Sequence, residues 1–130
     1  MIVLPPTAFT RMSIPPYCFA AHETTSFTSV SSSGAYATAK GGIIALTRKL
    51  SLELGPFGIN VNAIAPSTTL TERIRPRWNQ RSPEDQAAEI QRIPLRRVAE
   101  ATDQAKVICF LASPDADYVT GLTIDVTGGL

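Results

Sequence analysis

The 130-residue chain has few of the side chains that bind metals or form disulfides. It contains two cysteines, Cys18 and Cys109, which lie far apart without CxxC spacing, and one histidine, His22. These residues match no common spacing of zinc ligands, and two distant cysteines do not make a disulfide framework. We therefore expect neither a metal site nor a disulfide scaffold. Such cysteine usage is typical of a reducing compartment, so we expect a cytoplasmic location.

The chain also lacks an excess of charge of one sign and a long hydrophobic run. Twelve Lys+Arg against eleven Asp+Glu give a formal net charge of +1. Nucleic-acid binding needs a clustered basic surface, and a membrane-spanning helix needs about 20 apolar residues, a length that no stretch approaches. We therefore expect neither nucleic acid nor a membrane among the partners.

Glycine is absent from the beginning of the chain, because all eight glycines lie at Gly34 or later. A glycine-rich phosphate loop needs glycine so that the backbone can turn sharply and approach a pyrophosphate. The pairs Gly41-Gly42 and Gly128-Gly129 have neither the spacing nor the context of such a loop. We therefore expect no dinucleotide pyrophosphate site of the usual type in this chain.

Residues 1–28 differ in composition from the remainder, residues 29–130, and we treat the two as separate segments. The first segment is rich in proline, serine and threonine, and proline pairs disfavour both helix interiors and central strands. We predict an irregular segment, in which short strands are allowed at residues 1–4 and 17–21.

The clearest helix is predicted over residues 34–55. Ser32 or Ser33 is a suitable N-cap, and Gly55-Pro56 combines a permissive residue after the helix with a stop signal. Apolar residues recur every three or four positions and form one stripe. That stripe comprises Tyr36, Ala39, Ile43, Leu46, Leu50 and Leu54.

The remaining elements alternate between strand and helix. We predict a strand over residues 59–65, one or two short helices in residues 67–100 (one from Ser82 through Ile90), a helix over residues 102–112 and a last strand over residues 119–126. Thr102 is the expected cap of the later helix. Alternation of this kind favours an α/β arrangement with parallel strands. The later helix is expected to pack through Ala105, Ile108, Leu111 and Ala112.

Tyr36 and Lys40 are the residues whose spacing suggests chemistry. They stand at positions i and i+4 of the long helix, so both side chains leave the same face one turn apart. An ammonium one turn away favours the phenolate and lowers the pKa of a tyrosine, which then exchanges a proton near neutral pH. The spacing alone, however, is a weak signal and favours a core tyrosine beside a solvated lysine.

The surroundings of this pair resemble the short-chain dehydrogenase/reductase family. The resemblance covers residues 29–130 in the order expected for the family. It rests on the run SSGAYATAKGG at residues 32–42, the run LELGPFGINVNAIAP at residues 52–66, YVTG at residues 118–121 and IDVTGG at residues 124–129. By this resemblance the chain is the C-terminal half of a Rossmann-type doubly wound parallel sheet, without the N-terminal dinucleotide-binding half.

The resemblance implies hydride transfer between NAD or NADP and an alcohol or ketone carbon of a small-molecule substrate. Tyr36 would be the acid/base at the substrate oxygen. Lys40 would lower the pKa of Tyr36 and bind the nicotinamide ribose. The family's Pro-Gly-x-x-x-Thr loop, which cradles the nicotinamide, matches residues 66–71.

This loop keeps Pro66 and Thr71 of the family pattern, while Ser67 replaces the glycine. A serine would be strained there if the position needs an unusual backbone conformation. The backbone of Thr69 would face the carboxamide of the nicotinamide.

Two further features depart from the family pattern. The family's catalytic serine stands thirteen residues before the tyrosine, where this chain has Glu23; Ser26 and Ser29 lie nearer, and we assign none of them. Residues 1–22 do not resemble the family strand that precedes that serine. The chain is therefore either part of an NAD(P)-dependent oxidoreductase or a truncated, non-catalytic remnant or association module of that family.

The family commonly pairs its catalytic helix across a subunit interface. Small residues let two helices approach closely, and Ala37, Gly41 and Ala45 follow one another on one face of this helix. We therefore expect a homo-oligomer.

The polar segment 67–100 carries a concentration of arginines. The favoured interpretation is a solvated loop, and the alternative is a substrate lid that meets an anionic group, since arginine binds carboxylates in a fork geometry. We expect Trp78 to be a packing anchor, Asp115 and Asp117 to form a turn, and Cys109 to be buried. The arginines are Arg73, Arg75, Arg77, Arg81, Arg92, Arg96 and Arg97.

Overall fold

A computed structural model describes residues 17–21 and 33–130. The expectations for residues 1–4, His22, Glu23, Ser26 and Ser29 lie outside the described residues. The strands are β1 (Tyr17–Ala21), β2 (Asn60–Pro66), β3 (Thr69–Leu70), β4 (Ala99–Glu100) and β5 (Thr123–Val126), and the helices are α1 (Gly34–Leu54), α2 (Arg75–Asn79), α3 (Pro83–Arg92) and α4 (Ala101–Leu111).

The main sheet has three parallel strands in the order β1-β2-β5. Tyr17 of β1 lies opposite Asn60 of β2, and Ala63 of β2 lies opposite Thr123 of β5. A second, two-stranded parallel sheet joins β3 to β4. Although residues 1–22 show no sequence resemblance to a family strand, β1 is thus a regular strand beside β2.

The two long helices cover opposite faces of β2, because successive side chains of a strand point to opposite sides. Val61 packs with Leu50 and Leu54 of α1. Ile64 packs on the other face with Leu111 of α4. Helices on both faces of a parallel sheet are the doubly wound α/β arrangement, so the predicted fold class is confirmed.

A buried asparagine, Asn62, fixes the segment that precedes β5. Asn62 is only 1% exposed, and its Nδ2 donates to the carbonyl of Val119 at 2.7 Å while its Oδ1 accepts from the N–H of Leu122 at 3.2 Å. The backbone N–H of Val61 donates to Oγ1 of Thr120 at 3.0 Å. These side-chain bonds accompany two backbone bonds ahead of Thr123. The N–H of Gly121 donates to the carbonyl of Val61 at 2.7 Å, and the N–H of Ala63 donates to the carbonyl of Leu122 at 2.8 Å.

The last strand is consequently shorter than the predicted range 119–126. Gly121 has a φ of 76°, which interrupts extended backbone, and a Cβ at this position would lie 2.7 Å from Oγ of Ser51 on α1. Glycine therefore permits both the turn and the close approach of α1. Regular pairing begins only at Thr123.

The segment between β3 and β4 forms two helices, as allowed by the sequence. Ser82 caps α3 by accepting from the N–H of Asp85, and Pro83 occupies its first turn. Trp78 is 9% exposed and packs with Ile93 and Val98, which confirms its expected packing role. Three arginines of this segment form ion pairs: Arg75 with Glu100, Arg81 with Glu89, and Arg97 with Asp103.

The ends of the long helices differ in part from the prediction. Ser33 caps α1 as expected, but Gly55 has right-handed backbone angles and begins a short 3-10 turn, so the left-handed residue is Gly58, with a φ of 72°. Thr102 does not cap α4. The cap is Glu100, which exchanges hydrogen bonds with Asp103 in a capping box and starts the helix one residue earlier.

Four residues of the predicted buried faces pack in the core as expected: Leu50, Leu54, Ile108 and Leu111. The rest of each buried face is rotated from the predicted one. Polar Thr47 and Ser51 are buried on α1, because each hydroxyl bonds a carbonyl of the preceding turn, whereas Leu46 is 41% exposed. Gln104 of α4 is buried, and Ala105 is exposed. The same rotation places Cys109 on the exposed side, so the expectation that it is buried was wrong.

Candidate functional site

The cap of α1 sets the position of the tyrosine. Oγ of Ser33 accepts a hydrogen bond from the backbone N–H of Tyr36 at 3.2 Å, which starts the helix at its first turn. Lys40 follows one turn later, and its Nζ lies 5.6 Å from the centroid of the Tyr36 ring. Both side chains are half-buried. The structure therefore brings these two predicted residues together on one face, with a positive charge beside the phenol ring.

The 66–71 loop begins where β2 ends. Ser67 is 2% exposed, and its Oγ donates to the carbonyl of Thr127 at 3.4 Å. Oγ1 of Thr69 donates to the carbonyl of Ser67 at 2.9 Å. Oγ1 of Thr71 accepts from the N–H of Ile74 at 3.3 Å and stabilises the turn that leads to α2. Each of these three hydroxyl side chains thus forms a hydrogen bond with a backbone group.

Ser67 is compatible with its position. Among the described residues, the non-glycine residue with a positive φ is Arg96, so Ser67 does not occupy the left-handed region. Ser67 is therefore free of the strain expected for a serine in an unusual backbone conformation. A glycine at position 67 would lose the hydrogen bond to Thr127.

The loop forms one wall of a cleft of about 610 Å³. The predicted residues Pro66, Ser67, Thr69 and Thr71 all line it, together with Ile64 and residues of α4. Tyr36 and Lys40 are not among its lining residues. Within the described part of the chain, the predicted site residues therefore fall into two groups, one on α1 and one around the cleft.

Gln104 also lines this cleft, and the sequence analysis did not identify it. It is 8% exposed. Its Nε2 donates to Oγ1 of Thr69 at 3.3 Å and to the carbonyl of Val126 at 3.2 Å, while its Oε1 is buried without a partner. A signal was available, because Gln104 shares the helical spacing of Val107, Ile108 and Leu111.

Electrostatic shifts are concentrated at the N-terminus of α4. The pKa of Asp103 is held well below its usual range, chiefly by the hydrogen bonds from Arg97 and then by the backbone N–H of Glu100. The pKa of Arg97 is raised by the same hydrogen bond and by the charge of Asp103. This ion pair borders a separate, smaller cleft of about 220 Å³.

Two kinds of feature are not found in the described part of the chain. Within residues 17–21 and 33–130, no cluster of three or more His, Cys, Asp or Glu could hold a metal ion. None of the helices described there is long and apolar enough to cross a membrane.

The residues around the cleft fit the nicotinamide end of a dinucleotide better than its phosphates. Hydroxyl groups at Thr69 and Thr71 line the cleft and are of the kind that bonds a carboxamide or a ribose. The left-handed glycines of the described residues lie at 58, 121, 128 and 129, outside any strand-to-helix turn of the phosphate-binding kind.

A family model and several known proteins match most of this chain. A family model described as enoyl-(acyl carrier protein) reductase matches residues 21–130. The chain is 44% identical to protein FixR of Bradyrhizobium diazoefficiens over 95 residues and 42% identical to levodione reductase of Leifsonia aquatica over 98 residues. These matches cover 73% and 72% of this chain, but 32% and 37% of the two relatives.

Solved structures give the same result. A 3-oxoacyl-acyl-carrier-protein reductase of Brucella melitensis superposes with a TM-score of 0.75 at 32% identity, over 88% of this chain and 41% of that one. An NADPH-bound short-chain oxidoreductase of Pseudomonas aeruginosa, described as having an atypical catalytic centre, has a TM-score of 0.75 at 29% identity over 88% of this chain and 45% of that one.

The chain thus spans well under half the length of the proteins that it matches. Within that span, the family model, the identities above 40% and the superposed parallel sheets agree. On this evidence the chain belongs to the short-chain dehydrogenase/reductase family.

Proposed function

We propose that this chain supplies the proton-transfer helix and the nicotinamide-binding loop of an NAD(P)-dependent oxidoreductase that interconverts an alcohol and a ketone. The observation that carries the proposal is the Tyr36–Lys40 pair, with Nζ 5.6 Å from the ring centroid, in a chain of this family. The nicotinamide, when bound, accepts or supplies the hydride. Proton transfer and positioning of the nicotinamide are assigned to residues of this chain.

Tyr36 is proposed as the acid/base. In the oxidation direction, the phenolate of Tyr36 takes the hydroxyl proton of the alcohol as the hydride leaves the carbon, and a ketone results. In the reduction direction, the phenol returns that proton to the carbonyl oxygen. A positioned acid/base of this kind contributes about 10²- to 10⁴-fold to a rate.

Lys40 and the 66–71 loop are proposed to hold the nicotinamide half of the cofactor. The ammonium of Lys40 favours the phenolate of Tyr36 by its charge and binds the ribose hydroxyls. Pro66, Ser67, Thr69 and Thr71 form the wall for the ring and its carboxamide, and the backbone of Thr69 faces the carboxamide. The choice between NAD and NADP is left open.

The substitution Tyr36→Phe tests the acid/base role, because it keeps the ring and removes the ionisable hydroxyl. The measurement uses a hybrid protein in which the N-terminal half of a relative precedes residue 29, so that the phosphate site is present. Turnover should fall by about 10²- to 10⁴-fold. Cofactor affinity and the unfolding midpoint should change little.

Tyr118→Phe is the matched control, because Tyr118 is fully exposed on the turn before β5. It should retain full turnover. A Tyr36→Phe hybrid that keeps most of its turnover, or that loses no more than the Tyr118→Phe hybrid, would contradict the assignment.

A second candidate is a non-catalytic association module. It is favoured by one feature of these 130 residues, the lack of a glycine-rich phosphate turn. In that case residues 33–130 would retain the surfaces by which family members associate, and Tyr36→Phe would have no effect on any measured function. Titration of the chain with reduced nicotinamide mononucleotide at millimolar concentrations separates the two candidates, because only the first requires a nicotinamide site.

A further inference from the structure

The position of Gln104 would be energetically unfavourable if its side chain only filled space. Its side chain is buried against the 66–71 loop and the end of β5, and its Oε1 has no hydrogen-bond partner. A buried acceptor without a partner costs about 1–3 kcal/mol. An apolar side chain of similar size, such as methionine, would avoid that cost.

The other end of the same amide group makes two bonds. Nε2 donates to Oγ1 of Thr69 at 3.3 Å and to the carbonyl of Val126 at 3.2 Å, so it joins the loop to the last residue of β5. Because the Val126 carbonyl can only accept, the amide orientation is determined: nitrogen faces these partners. Turning the amide over would place oxygen against oxygen.

The bond to Thr69 belongs to a short chain of contacts. Oγ1 of Thr69 accepts from Gln104 and donates to the carbonyl of Ser67 at 2.9 Å, while Oγ of Ser67 donates to the carbonyl of Thr127 at 3.4 Å. Two side chains, Gln104 and Ser67, thus connect the loop to backbone carbonyls of residues 126 and 127. The backbone N–H of Ser67 also donates to the carbonyl of Val126 at 3.5 Å.

We infer that Gln104 is a positioning residue for nicotinamide binding: it acts through Thr69 and fixes the loop backbone that faces the ligand. This inference rests on the proposed function, because it assumes that the cleft takes the nicotinamide end of the cofactor. Gln104 itself is not assigned a contact with the ligand. Its contribution is to reduce the number of loop conformations before binding.

The test replaces Gln104 with methionine, which keeps the length and removes both donors and the unpaired oxygen. Two quantities are measured on the chain itself: amide hydrogen exchange in the 66–71 loop, and the affinity for reduced nicotinamide mononucleotide at millimolar concentrations. Exchange at Thr69 and Thr71 should accelerate by about five- to tenfold, and the affinity should fall by a similar factor. Exchange in the centre of β2 should be unchanged.

Gln86→Met is the matched control. Nε2 of Gln86 also bridges two acceptors, the carbonyls of Trp78 at 3.0 Å and Arg81 at 3.3 Å, but at α3 and away from the loop. It should alter neither loop exchange nor ligand affinity. An effect of this variant equal to that of Gln104→Met would overturn the inference.

Thr69→Val tests the same bond from its other end, and as a single variant it should accelerate loop exchange by the same factor as Gln104→Met. It removes the hydroxyl that receives the Gln104 bond while keeping the branched shape. If the two residues act through one bond, the double variant should lose no more affinity than the more severe single variant. Fully additive losses would overturn the inference.

The remaining outcomes separate the inference from the proposed function. A wild-type chain that binds the mononucleotide with the same affinity as Gln104→Met overturns the positioning role and leaves the nicotinamide site in place. A wild-type chain without measurable binding overturns the nicotinamide site, and the positioning role with it.

Discussion

Arg96 has a backbone conformation that is unfavourable for residues other than glycine. Its φ is 56°, in the left-handed region, and its N–H donates to the carbonyl of Ile93 at 2.8 Å in a tight turn after α3. The turn directs Leu95 back to the C-terminal residues, where its N–H donates to Gly128 at 3.1 Å. Residues with a Cβ pay roughly 1–2 kcal/mol for this conformation.

Replacing Arg96 with glycine should therefore stabilise the chain relative to replacement with alanine. Both variants lose the guanidinium and its hydrogen bond to the carbonyl of Gln91. The difference between their free energies of unfolding therefore reports the effect of the backbone conformation. We expect Arg96→Gly to exceed Arg96→Ala by about 1 kcal/mol in free energy of unfolding, measured by urea denaturation. Equal stability, or a more stable alanine variant, would show that the turn is not left-handed in solution.

Single residues were predictable from sequence where their effect is local. Ser33 and Ser82 cap their helices as expected, because an N-cap bonds within its own first turn. Cys109 was not predictable in the same way, because its exposure depends on which side of α4 faces β2. The helical spacing of Gln104 with Val107 and Leu111 did indicate that side, but the polarity of Gln104 argued against burial.

At the scale of elements, the start of α4 depends on a charged residue. Asp103 accepts from the N–H of Glu100 at 2.9 Å and pairs with Arg97 at 2.6 Å. Both interactions favour its ionised form, so its pKa is lower in the folded than in the unfolded chain. The ionised side chain therefore stabilises the folded state at pH values above the unfolded pKa of about 3.9.

The contribution of Asp103 should be complete at neutral pH and should disappear as the pH falls below about 4 towards the folded-state pKa. Asp103→Asn should lower the urea midpoint at pH 7 and make it less dependent on pH in the acidic range. Asp115→Asn, at an exposed position on the turn at Pro114–Ala116, is the control. Similar pH profiles for wild type and Asp103→Asn would contradict this account.

Whole elements were predictable to different degrees. Helices α1, α3 and α4 were expected near their observed positions, because capping and periodicity are recorded in neighbouring residues. The two-residue strands β3 and β4 were not, since their pairing joins Thr69 to Ala99 and leaves no local pattern. The last strand was overestimated because Gly121 interrupts a run of strand-forming residues.

At the scale of the molecule, the described residues contain no glycine-rich turn of the phosphate-binding kind. Hydride transfer requires the two reacting carbons to be held about 3–3.5 Å apart, and the residues around the cleft are proposed to contact only the nicotinamide end of the cofactor. We expect residues 1–130 alone to show no NADH binding in the micromolar range and no steady-state turnover. The measurement is a calorimetric titration followed by a ketone-reduction assay.

The hybrid with a relative's N-terminal half is the comparison for that experiment. It should bind NADH with at least tenfold higher affinity, because the phosphate contacts are restored. Micromolar binding by residues 1–130 alone would mean that the first 32 residues contain a phosphate site.

The small-residue face of α1 suggests how copies of the chain associate. A Cβ added at Gly41 or Gly42 would meet no atom within 4 Å, so the described residues provide no close neighbour to compensate for the low helix propensity of glycine. Nearby Leu52 is 75% exposed and Leu122 is 50% exposed. We predict a dimer or larger oligomer through this face and the adjacent edge at β5.

Gly41→Leu tests that prediction, because it adds bulk where a second helix would approach. Sedimentation at tens of micromolar (a rough range for modest affinity) should show the wild type associated and Gly41→Leu shifted towards monomer. Ala39→Leu adds bulk at an exposed position elsewhere on α1 and should remain associated. A monomeric wild type would contradict the prediction.

The all-parallel pairing of the main sheet has a consequence for the rate of folding. One pairing joins strands about 40 residues apart in sequence, and the other joins strands about 60 residues apart. Neither pairing is a hairpin, which would bring neighbouring strands together early. The chain therefore closes long loops before it gains any hydrogen bond of that sheet. High contact order of this kind slows folding and prolongs the time during which unpaired strand edges are open to association with other chains. Helix α1, whose backbone hydrogen bonds are local, is expected to form before the sheet, so pulsed amide hydrogen exchange during refolding should show protection in α1 before protection in β2.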